Sequence, residues 1–457
     1  MRRTKYFIWF LAFLKFVLPF ILQDSYYQLH RDEFLYLDHG QHMAFGYMEV
    51  PPLLSFFSWL TRFLPQSDII VKFWPSLFGA LTFVLVAKAI IHLGGQKFAI
   101  FLAFLSFTLT AFLRVHYLFQ PGFLEVFFWT AVSYAVLRYI QTERLKWLYL
   151  LALSLAFGFL SKYSISLFAL SIFAGLLLTP QRRIFFQKHF YYAMMLAFVL
   201  VLPNLWWQYA HNYPIVTHMR ELKETQLQYV SPVRFLIDQI VMNFPCFFVW
   251  MAGLFCLLFV RTFTPFKAIG FAYVFLIVLL IVLHGKNYYA LAIYPILFAF
   301  GAAYLEKLLV DKRYSLRYVA IVLPFILGLP LMPVLLPMAK PETLANYYQK
   351  IGIGKTGVLK WEDQKDHELP QDFGDMLGWR ELSNKAEHVY YLLSPEQRSQ
   401  TIIFCGSYGQ AGALKYYGNS PEFRKKIISE NGSNRLWIPQ NLVFKNLLLI
   451  DDEMPDK

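Results

Sequence analysis

The acidic pair Asp32-Glu33 is the part of the sequence whose residue types point most directly to chemistry. It lies in a polar segment, residues 30–42, with Pro51-Pro52 a short distance downstream. Of two adjacent carboxylates at a membrane boundary, one can act as a general base while its neighbour or a nearby cation sets its protonation. The alternative is a solvated loop with a helix cap. Residues 53–64 predict an interfacial helix on the membrane, which favours the catalytic interpretation, more for Asp32 than for Glu33.

A third carboxylate, Glu125, follows Gln120-Pro121-Gly122 by one helical turn inside an apolar segment. An unpaired charge at this depth costs a few kcal/mol, so we expect it to face a polar cavity or a cation. A structural ion pair, for example with Arg114, is the alternative. Glu125 is therefore a third candidate for a catalytic role.

Three short segments combine a cation with histidine or aromatic residues between apolar runs. They could bind a phosphate and a sugar, because lysine and arginine bind phosphate and tyrosine adds hydrogen bonds. Each lysine could instead extend to the membrane interface without a function. The candidate substrate-binding residues are Lys162, Tyr163, His218, Arg220, Glu221, Lys286, Tyr288 and Tyr289.

The composition predicts that membrane helices position these residues. Of 457 residues, 57% are hydrophobic and 16% are charged, and the mean hydropathy is +0.43, well above that of ordinary soluble domains. The net charge of +13 comes largely from short Lys/Arg clusters between apolar runs. That distribution follows the positive-inside rule and excludes nucleic-acid binding as the main function.

About eleven segments are long enough to cross a bilayer, and they predict an all-α polytopic protein. The spans begin near residues 6, 69, 98, 123, 146, 163, 190, 234, 267, 289 and 317. The two runs around Ser161-Lys162-Tyr163 could also be one broken helix. With a cytoplasmic N-terminus, the Lys/Arg-rich segments lie inside and the candidate site residues lie outside.

The last part of the chain, residues 339–457, predicts a small α/β domain on the extracytoplasmic side. Thr401–Cys405 has the pattern of a buried strand, and Tyr408–Tyr417, followed by Gly418, has that of a helix. The predicted domains are thus a membrane domain, residues 1–338, which includes the first outer loop at 23–68, and this soluble domain.

Several familiar catalytic motifs are missing from the sequence. It contains no phosphate loop of the Walker type, no His-Glu-x-x-His motif and no Gly-x-Ser-x-Gly motif. ATP hydrolysis, zinc proteolysis and serine hydrolase chemistry are therefore not supported. No cofactor is predicted; a divalent metal is left open, without a ligand set to support it.

The order of the motifs resembles the bacterial relatives of dolichyl-phosphate-mannose protein mannosyltransferases, which are GT-C glycosyltransferases of the family 39 type and include the aminoarabinose lipid A transferases. The resemblance covers most of the chain. It rests on Asp32-Glu33, Gly46-Tyr47, Pro51-Pro52-Leu53, Gln120-Pro121 to Trp129, Leu160 to Tyr163, Leu202 to Trp207, His218 to Leu222, Gly285 to Tyr289, Tyr294-Pro295, Gly378 to Leu382 and Ser407 to Ala413.

The resemblance implies an inverting transferase in the bacterial inner membrane. It would move a sugar from polyprenyl (undecaprenyl) phosphate to lipid A, a glycan or a protein at the extracytoplasmic face. The catalytic carboxylate of the family's first-loop acidic pair maps to Asp32. Relatives often carry Pro-Asp at the second turn, whereas here Gly122 follows the proline and Glu125 supplies the acid.

Two other classes of function share part of this pattern. A transporter or flippase for a lipid-linked or polar substrate would use the same charges along a translocation path, with some of them near mid-membrane and with paired broken helices. A catalytically inactive scaffold would bind the lipid-linked sugar without forming product. The prediction that separates the transferase is one pocket that joins Asp32 to Lys162, Arg220 and Lys286.

Overall fold

The computed structural model describes residues 2–225, 227–310 and 314–451, and it is mostly helical. The α-helices are α1 Arg2–Leu22, α2 Arg31–His39, α3 Leu53–Thr61, α4 Asp68–His92, α5 Lys97–Thr108, α6 Phe112–Val115, α7 Gly122–Thr142, α8 Lys146–Phe159, α9 Ile165–Leu177, α10 Lys188–Ala210, α11 Pro214–Thr225, α12 Pro232–Val241, α13 Phe247–Phe259, α14 Lys267–Val282, α15 Tyr294–Leu308, α16 Leu316–Gly328, α17 Met332–Leu335, α18 Pro341–Ile351, α19 Gln371–Gly374, α20 Trp379–Leu392, α21 Pro395–Ser399, α22 Tyr408–Tyr417 and α23 Pro421–Arg424. The strands are β1 Thr401–Cys405, β2 Ile427–Ile428 and β3 Asn446–Ile450.

Long apolar helices make this a multi-pass membrane protein. Within the described ranges, seven helices are long and apolar enough to cross a bilayer: Arg2–Leu22, Asp68–His92, Gly122–Thr142, Lys188–Ala210, Arg261–Val282, Asn287–Leu308 and Leu316–Leu335. Two further helix pairs are bent, by 111° at 165–186 and by 69° at 232–259. If each bent pair is counted as one span, the number rises to nine. Two shorter apolar helices, α5 and α8, lie at other predicted spans. Each predicted span begins in or next to a helix, and the number eleven stays a prediction.

The chain divides into two compact units. Unit 1 contains residues 1–22 and 72–336, and unit 2 contains residues 23–71 and 337–457. The change from unit 1 to unit 2 after Leu336 lies within two residues of the domain boundary predicted at 338. The first outer loop belongs to the same compact unit as the C-terminal residues, whereas the sequence pattern had placed it in the membrane domain.

Glycines bring the helices of unit 1 close together. A Cβ on Gly253 of α13 would lie 2.1 Å from the carbonyl oxygen of Leu297 in α15, and one on Gly301 would lie 1.8 Å from that of Val249. Only glycine allows backbones to approach this closely, and small residues are the usual means of packing helices in a membrane. This contact holds α15, whose N-terminus continues into the Lys286 segment of the candidate site.

Unit 2 contains a small parallel sheet in the order β2-β1-β3. Its core includes Tyr390 of α20, Ile403 of β1 and Leu414 of α22. The predicted strand Thr401–Cys405 and the predicted helix Tyr408–Tyr417, with Gly418 after it, are confirmed. The sheet is short because β2 has only two residues, so helices supply much of the core.

Candidate active site

The acidic pair occupies the first turn of α2, in unit 2. The residue before the helix, His30, accepts a hydrogen bond from the backbone N–H of Asp32 at 3.1 Å through Nδ1. Glu33 Oε2 accepts one from the backbone N–H of His30 at 2.8 Å. This reciprocal capping box satisfies two N–H groups that would otherwise lack a partner at the helix start. Glu33 is fully buried and caps the helix, which agrees with the helix-cap alternative, although the residue is not solvated as that alternative also supposed.

Asp32 is the more accessible of the two carboxylates. Its side chain is 27% exposed, and its Oδ1 lies 3.6 Å from Arg31 Nε. The same oxygen accepts a hydrogen bond from the Tyr408 hydroxyl at 2.7 Å. Its Oδ2 lies 4.0 Å from His30 Nδ1. One oxygen of Asp32 thus accepts a hydrogen bond from Tyr408 and lies within ion-pair distance of Arg31, and the carboxylate as a whole still reaches solvent.

Further carboxylates surround Asp32 and share the same cations. Arg31 lies 3.2 Å from Asp375 through Nε and 3.0 Å from Glu362 through Nη2. His30 Nε2 lies 3.7 Å from both Asp372 and Asp375. Burial raises the pKa of Asp375 to about 6, although Arg31 and His30 oppose that shift. Carboxylates therefore outnumber cations here, which suits a site that accepts a proton.

The hydrogen bonds of His30 favour one tautomer. Nδ1 must keep its lone pair to accept the N–H of Asp32. A proton on Nε2 then faces the carboxylates of Asp372 and Asp375. His30 therefore caps the helix through Nδ1 and faces two carboxylates through Nε2.

Helix α22 carries the partners of α2. Tyr408 is its first residue, and a second capping box fixes that end: Ser407 Oγ accepts from the Gln410 N–H at 3.2 Å, and Gln410 Oε1 accepts from the Ser407 N–H at 3.1 Å. Near the other end of both helices, Lys415 Nζ donates to Asp38 Oδ2 at 2.6 Å. Two polar contacts, one at each end, therefore fix the register of the pair.

In unit 1, Glu125 pairs with Lys162. Lys162 Nζ donates to Glu125 Oε2 at 2.7 Å, and the Ser164 hydroxyl donates to Oε1. Glu125 is 4% exposed and lies in the first turn of α7. The pair confirms the expectation that Glu125 faces a cation; the cation is Lys162 instead of Arg114, whose guanidinium donates to the backbone carbonyls of Leu335 and Val334.

Two tyrosines lie against the same lysine. Lys162 Nζ is 5.0 Å from the ring centre of Tyr289 and 5.5 Å from that of Tyr288. Lys286 Nζ lies 5.8 Å from the Tyr288 ring. The structure therefore brings five of the predicted residues into one cation–aromatic cluster. Its members are Glu125, Lys162, Lys286, Tyr288 and Tyr289.

A polar contact with α12 holds the segment that carries these tyrosines. Asn287 Nδ2 donates to Asp238 Oδ2 at 2.9 Å, and Gln239 Nε2 donates to the Asn287 carbonyl at 3.2 Å. Tyr294, seven residues later, donates through its hydroxyl to Gln239 Oε1 at 2.9 Å. These buried and partly buried bonds fix the turn after α14 and thereby the direction of Tyr288 and Tyr289.

Tyr163 follows Lys162 but belongs to another contact. Its hydroxyl donates to Asn204 Oδ1 at 3.1 Å and accepts from Gln208 Nε2 at 3.1 Å. Asn204 and Gln208 are both buried in α10. Tyr163 therefore links the turn after α8 to α10.

The predicted residues His218, Arg220 and Glu221 lie on α11, which has no buried residue. Arg220 and Glu221 are exposed, and His218 is half-buried. Between the described residues, Arg220 makes no ion pair. Their role in substrate binding stays a prediction.

Some residues of the site were not among the sequence candidates. Tyr408, Arg31 and Asp375 stand beside Asp32, and Ser164 stands beside Glu125. Helix α22 gave a signal, since Gly409 and Gly412 leave one side of the helix without side chains and so leave room for another helix. Across the described ranges, no three His, Cys, Asp or Glu side chains are grouped to hold a metal ion.

Comparisons with known proteins agree with the motifs. The family model described as dolichyl-phosphate-mannose-protein mannosyltransferase matches residues 49–207. The lipid A galacturonosyltransferase RgtD of Rhizobium johnstonii is 27% identical over 203 residues, which are 42% of this chain and 41% of that protein. The match thus spans less than half the length of this relative.

Solved structures share the fold over nearly the whole chain. ArnT from Cupriavidus metallidurans bound to undecaprenyl phosphate matches with a TM-score of 0.62 and 13% identity, covering 97% of this chain and 88% of that chain. Its apo structure matches with a TM-score of 0.63 and 13% identity, covering 92% and 86%. The comparisons together confirm the resemblance predicted from the sequence, and they support the assignment of this chain to the bacterial GT-C glycosyltransferases of the family 39 type.

Proposed function

We propose that the protein is an inverting glycosyltransferase that moves a sugar from polyprenyl (undecaprenyl) phosphate to an extracytoplasmic acceptor. The observation that carries the proposal is the carboxylate of Asp32, held by Tyr408 and Arg31 at the start of α2 and still 27% exposed. The undecaprenyl phosphate bound to ArnT supports the choice of donor. The relative named as a lipid A galacturonosyltransferase supports lipid A as the first acceptor to test, before glycans and proteins.

Asp32 acts on the acceptor in this proposal. Its carboxylate takes the proton of an acceptor hydroxyl while the hydroxyl oxygen attacks the anomeric carbon. The bond between that carbon and the lipid phosphate breaks on the opposite side, and its electron pair stays on the phosphate. The configuration of the sugar is therefore inverted. If the acceptor is itself a phosphate, Asp32 positions that nucleophile instead.

The cation–aromatic cluster of unit 1 acts on the donor. Lys162 and Lys286 stabilise the negative charge that grows on the departing phosphate, an interaction that is strong where water is excluded. Tyr288 and Tyr289 offer ring faces and hydroxyl groups to the sugar or lipid. Glu125 holds Lys162 in place through the ion pair, and Tyr163, His218, Arg220 and Glu221 are proposed to extend donor binding.

The proposed topology follows the charge pattern. The N-terminus lies in the cytoplasm, and the loop that carries Asp32 and the C-terminal residues lie on the extracytoplasmic side. Short Lys/Arg-rich segments between the apolar helices support this orientation. Cysteine accessibility to a membrane-impermeant reagent, with cysteines introduced at exposed positions 26 and 396, would contradict it if both were labelled only after the membrane is opened.

The test of the proposed function is Asp32→Asn in the purified full-length protein. Undecaprenyl phosphate carrying galacturonic acid and lipid A are the first donor and acceptor, and other uronic acid, pentose and hexose donors follow. Loss of the base should lower turnover by about 100-fold or more, while binding of undecaprenyl phosphate is retained. Asp24→Asn, in the same loop, is the matched control and should keep turnover within a factor of about two.

Three outcomes would contradict the proposal or part of it. Near-normal turnover of Asp32→Asn would remove Asp32 from the role of base. No product from any donor and acceptor pair would contradict the transferase itself. Flux of a lipid-linked sugar across proteoliposomes without any product would favour a transporter.

A further inference from the structure

Helix α22, from the C-terminal part of the chain, lies directly on α2. A Cβ on Gly409 would lie 3.0 Å from the Cβ of Arg31, and one on Gly412 would lie 2.5 Å from the Cβ of Phe34. Neither glycine has a left-handed φ, so it is space, and not backbone conformation, that requires glycine at 412. The two helices are therefore packed backbone to backbone at the turn of α2 that carries Asp32.

Tyr408 is the residue of α22 that reaches Asp32. The capping box of Ser407 and Gln410 holds the first turn of α22, and the Tyr408 hydroxyl donates to Asp32 Oδ1 at 2.7 Å. Burial, and next the charge of Asp32, raise the pKa of Tyr408. The phenol consequently keeps its proton, so it serves as a hydrogen-bond donor and does not compete with Asp32 for the acceptor's proton.

The other groups around Asp32 do not single it out from its neighbours. Arg31 lies near Asp32, Asp375 and Glu362, at 3.6, 3.2 and 3.0 Å. The imidazole of His30 faces carboxylates on both sides. Its Nδ1 lies 4.0 Å from Asp32 Oδ2, and its Nε2 lies 3.7 Å from both Asp372 and Asp375. Tyr408, in contrast, directs a short hydrogen bond to one oxygen of Asp32.

We propose that Tyr408 is a positioning residue for acceptor activation, and that the C-terminal region thereby completes the catalytic loop. This inference rests on the proposed function of Asp32. The Tyr408 hydroxyl holds Oδ1, so the proton of the acceptor hydroxyl passes to Oδ2 as the new bond to the anomeric carbon forms. Tyr408 keeps its own proton throughout and touches neither sugar nor lipid.

Tyr408→Phe in the full-length protein tests the proposal, and helix α22 offers a matched control. Tyr417 makes the same type of bond with another aspartate, since its hydroxyl donates to Asp68 Oδ2 at 3.0 Å. A lost hydrogen bond to a charged group should lower kcat for Tyr408→Phe by about 10-fold or more, with the KM for the lipid-linked donor unchanged. Tyr417→Phe should keep kcat within a factor of about two.

Undecaprenyl phosphate binding and the melting temperature are measured for both variants. If Tyr408→Phe unfolds at a lower temperature than Tyr417→Phe, kcat is measured below both melting temperatures, where both variants are folded and their kcat values can be compared. A kcat of Tyr408→Phe equal to that of Tyr417→Phe, or a change confined to KM, overturns the inference. Asp32→Asn in the same assay separates the two claims. If it is inactive while Tyr408→Phe is normal, only the inference fails; if it turns over normally, the role of Asp32 itself fails.

Discussion

The two candidate clusters have opposite charge character. Around Asp32, in unit 2, carboxylates outnumber cations, and Arg31 and His30 are shared among them. Around Lys162, in unit 1, one carboxylate faces a lysine that also lies over two tyrosine rings. The first composition suits proton acceptance and the second suits anion binding. In the proposed function, the two chemical tasks of a sugar transfer would thus be carried by residues of two different compact units.

The positions of the two clusters are also fixed by different means. Long helices and a buried ion pair fix the cluster of unit 1, with Glu125 only 4% exposed. Capping boxes and a glycine contact between two short helices fix the cluster of unit 2. We therefore expect charge changes to disturb the Lys162 cluster most, and added side-chain volume at the contact between α2 and α22 to disturb the Asp32 cluster most.

The largest effect is expected for Glu125→Ala, which leaves Lys162 without its partner. Removing one member of a buried pair costs roughly 3–5 kcal/mol of unfolding free energy. The double variant Glu125→Leu with Lys162→Leu should regain most of that stability and still show no transfer. Thermal unfolding in detergent, with the transfer assay, checks both. Equal stability of single and double variants would show that the pair does not determine the stability of this region.

A smaller effect is expected for Gly412→Ala in unit 2. The added methyl would lie 2.5 Å from the Cβ of Phe34 and 3.1 Å from its carbonyl carbon, so α2 and α22 must separate. Overpacking of this kind costs about 1–3 kcal/mol, and transfer should fall because the Tyr408 contact lengthens. Gly354→Ala is the control, since its nearest neighbour would be Leu359 at 3.6 Å. Similar melting temperatures of the two variants would contradict the packing argument.

The smallest change in unfolding free energy is expected for Asp375→Asn, and this variant should be more stable than the wild type. The pKa of Asp375 is raised from 3.8 to about 6, so the folded protein binds more protons than the unfolded chain between these pH values. Wild-type stability is therefore lost as pH rises through this window. The variant should be more stable at neutral pH by no more than about 3 kcal/mol, the value to which the full shift corresponds, and the gain should vanish below about pH 4.

Unfolding of Asp375→Asn followed from pH 4 to pH 8 checks this prediction. Asp366→Asn, at an exposed position in the same unit, is the control and should follow the wild type at every pH. A gain for Asp375→Asn that does not depend on pH would show that the burial of this carboxylate is not its cause.

Local patterns in the sequence predicted much of the fold. The apolar spans, the strand Thr401–Cys405 and the helix Tyr408–Tyr417 depend on periodicity over a few residues. The pairing of Lys162 with Glu125 was not predicted, although the charge of Glu125 predicted that it would face a polar cavity or a cation. A buried charge demands a partner, but a linear sequence does not say which one.

The rest of the site depends on contacts between distant residues. Tyr408 meets Asp32 across 376 positions of sequence, and no local period contains that information. Glu33 was a catalytic candidate because it stands next to Asp32; its capping box is hard to recognise in the sequence, since His30 takes the place of the usual Ser, Thr, Asp or Asn. The residues of α11 were grouped by charge alone, and their exposure neither supports nor removes their proposed role.

The discontinuity of unit 2 has a consequence for biogenesis. Its loop, residues 23–71, is synthesised long before residues 337–457, with which it forms one compact unit. At roughly 5–20 residues per second, Tyr408 leaves the ribosome about 20–75 s after Asp32. During that interval α2 has no glycine-lined helix to pack on, so newly made chains pass through a stage in which the nascent loop is open to proteases and chaperones.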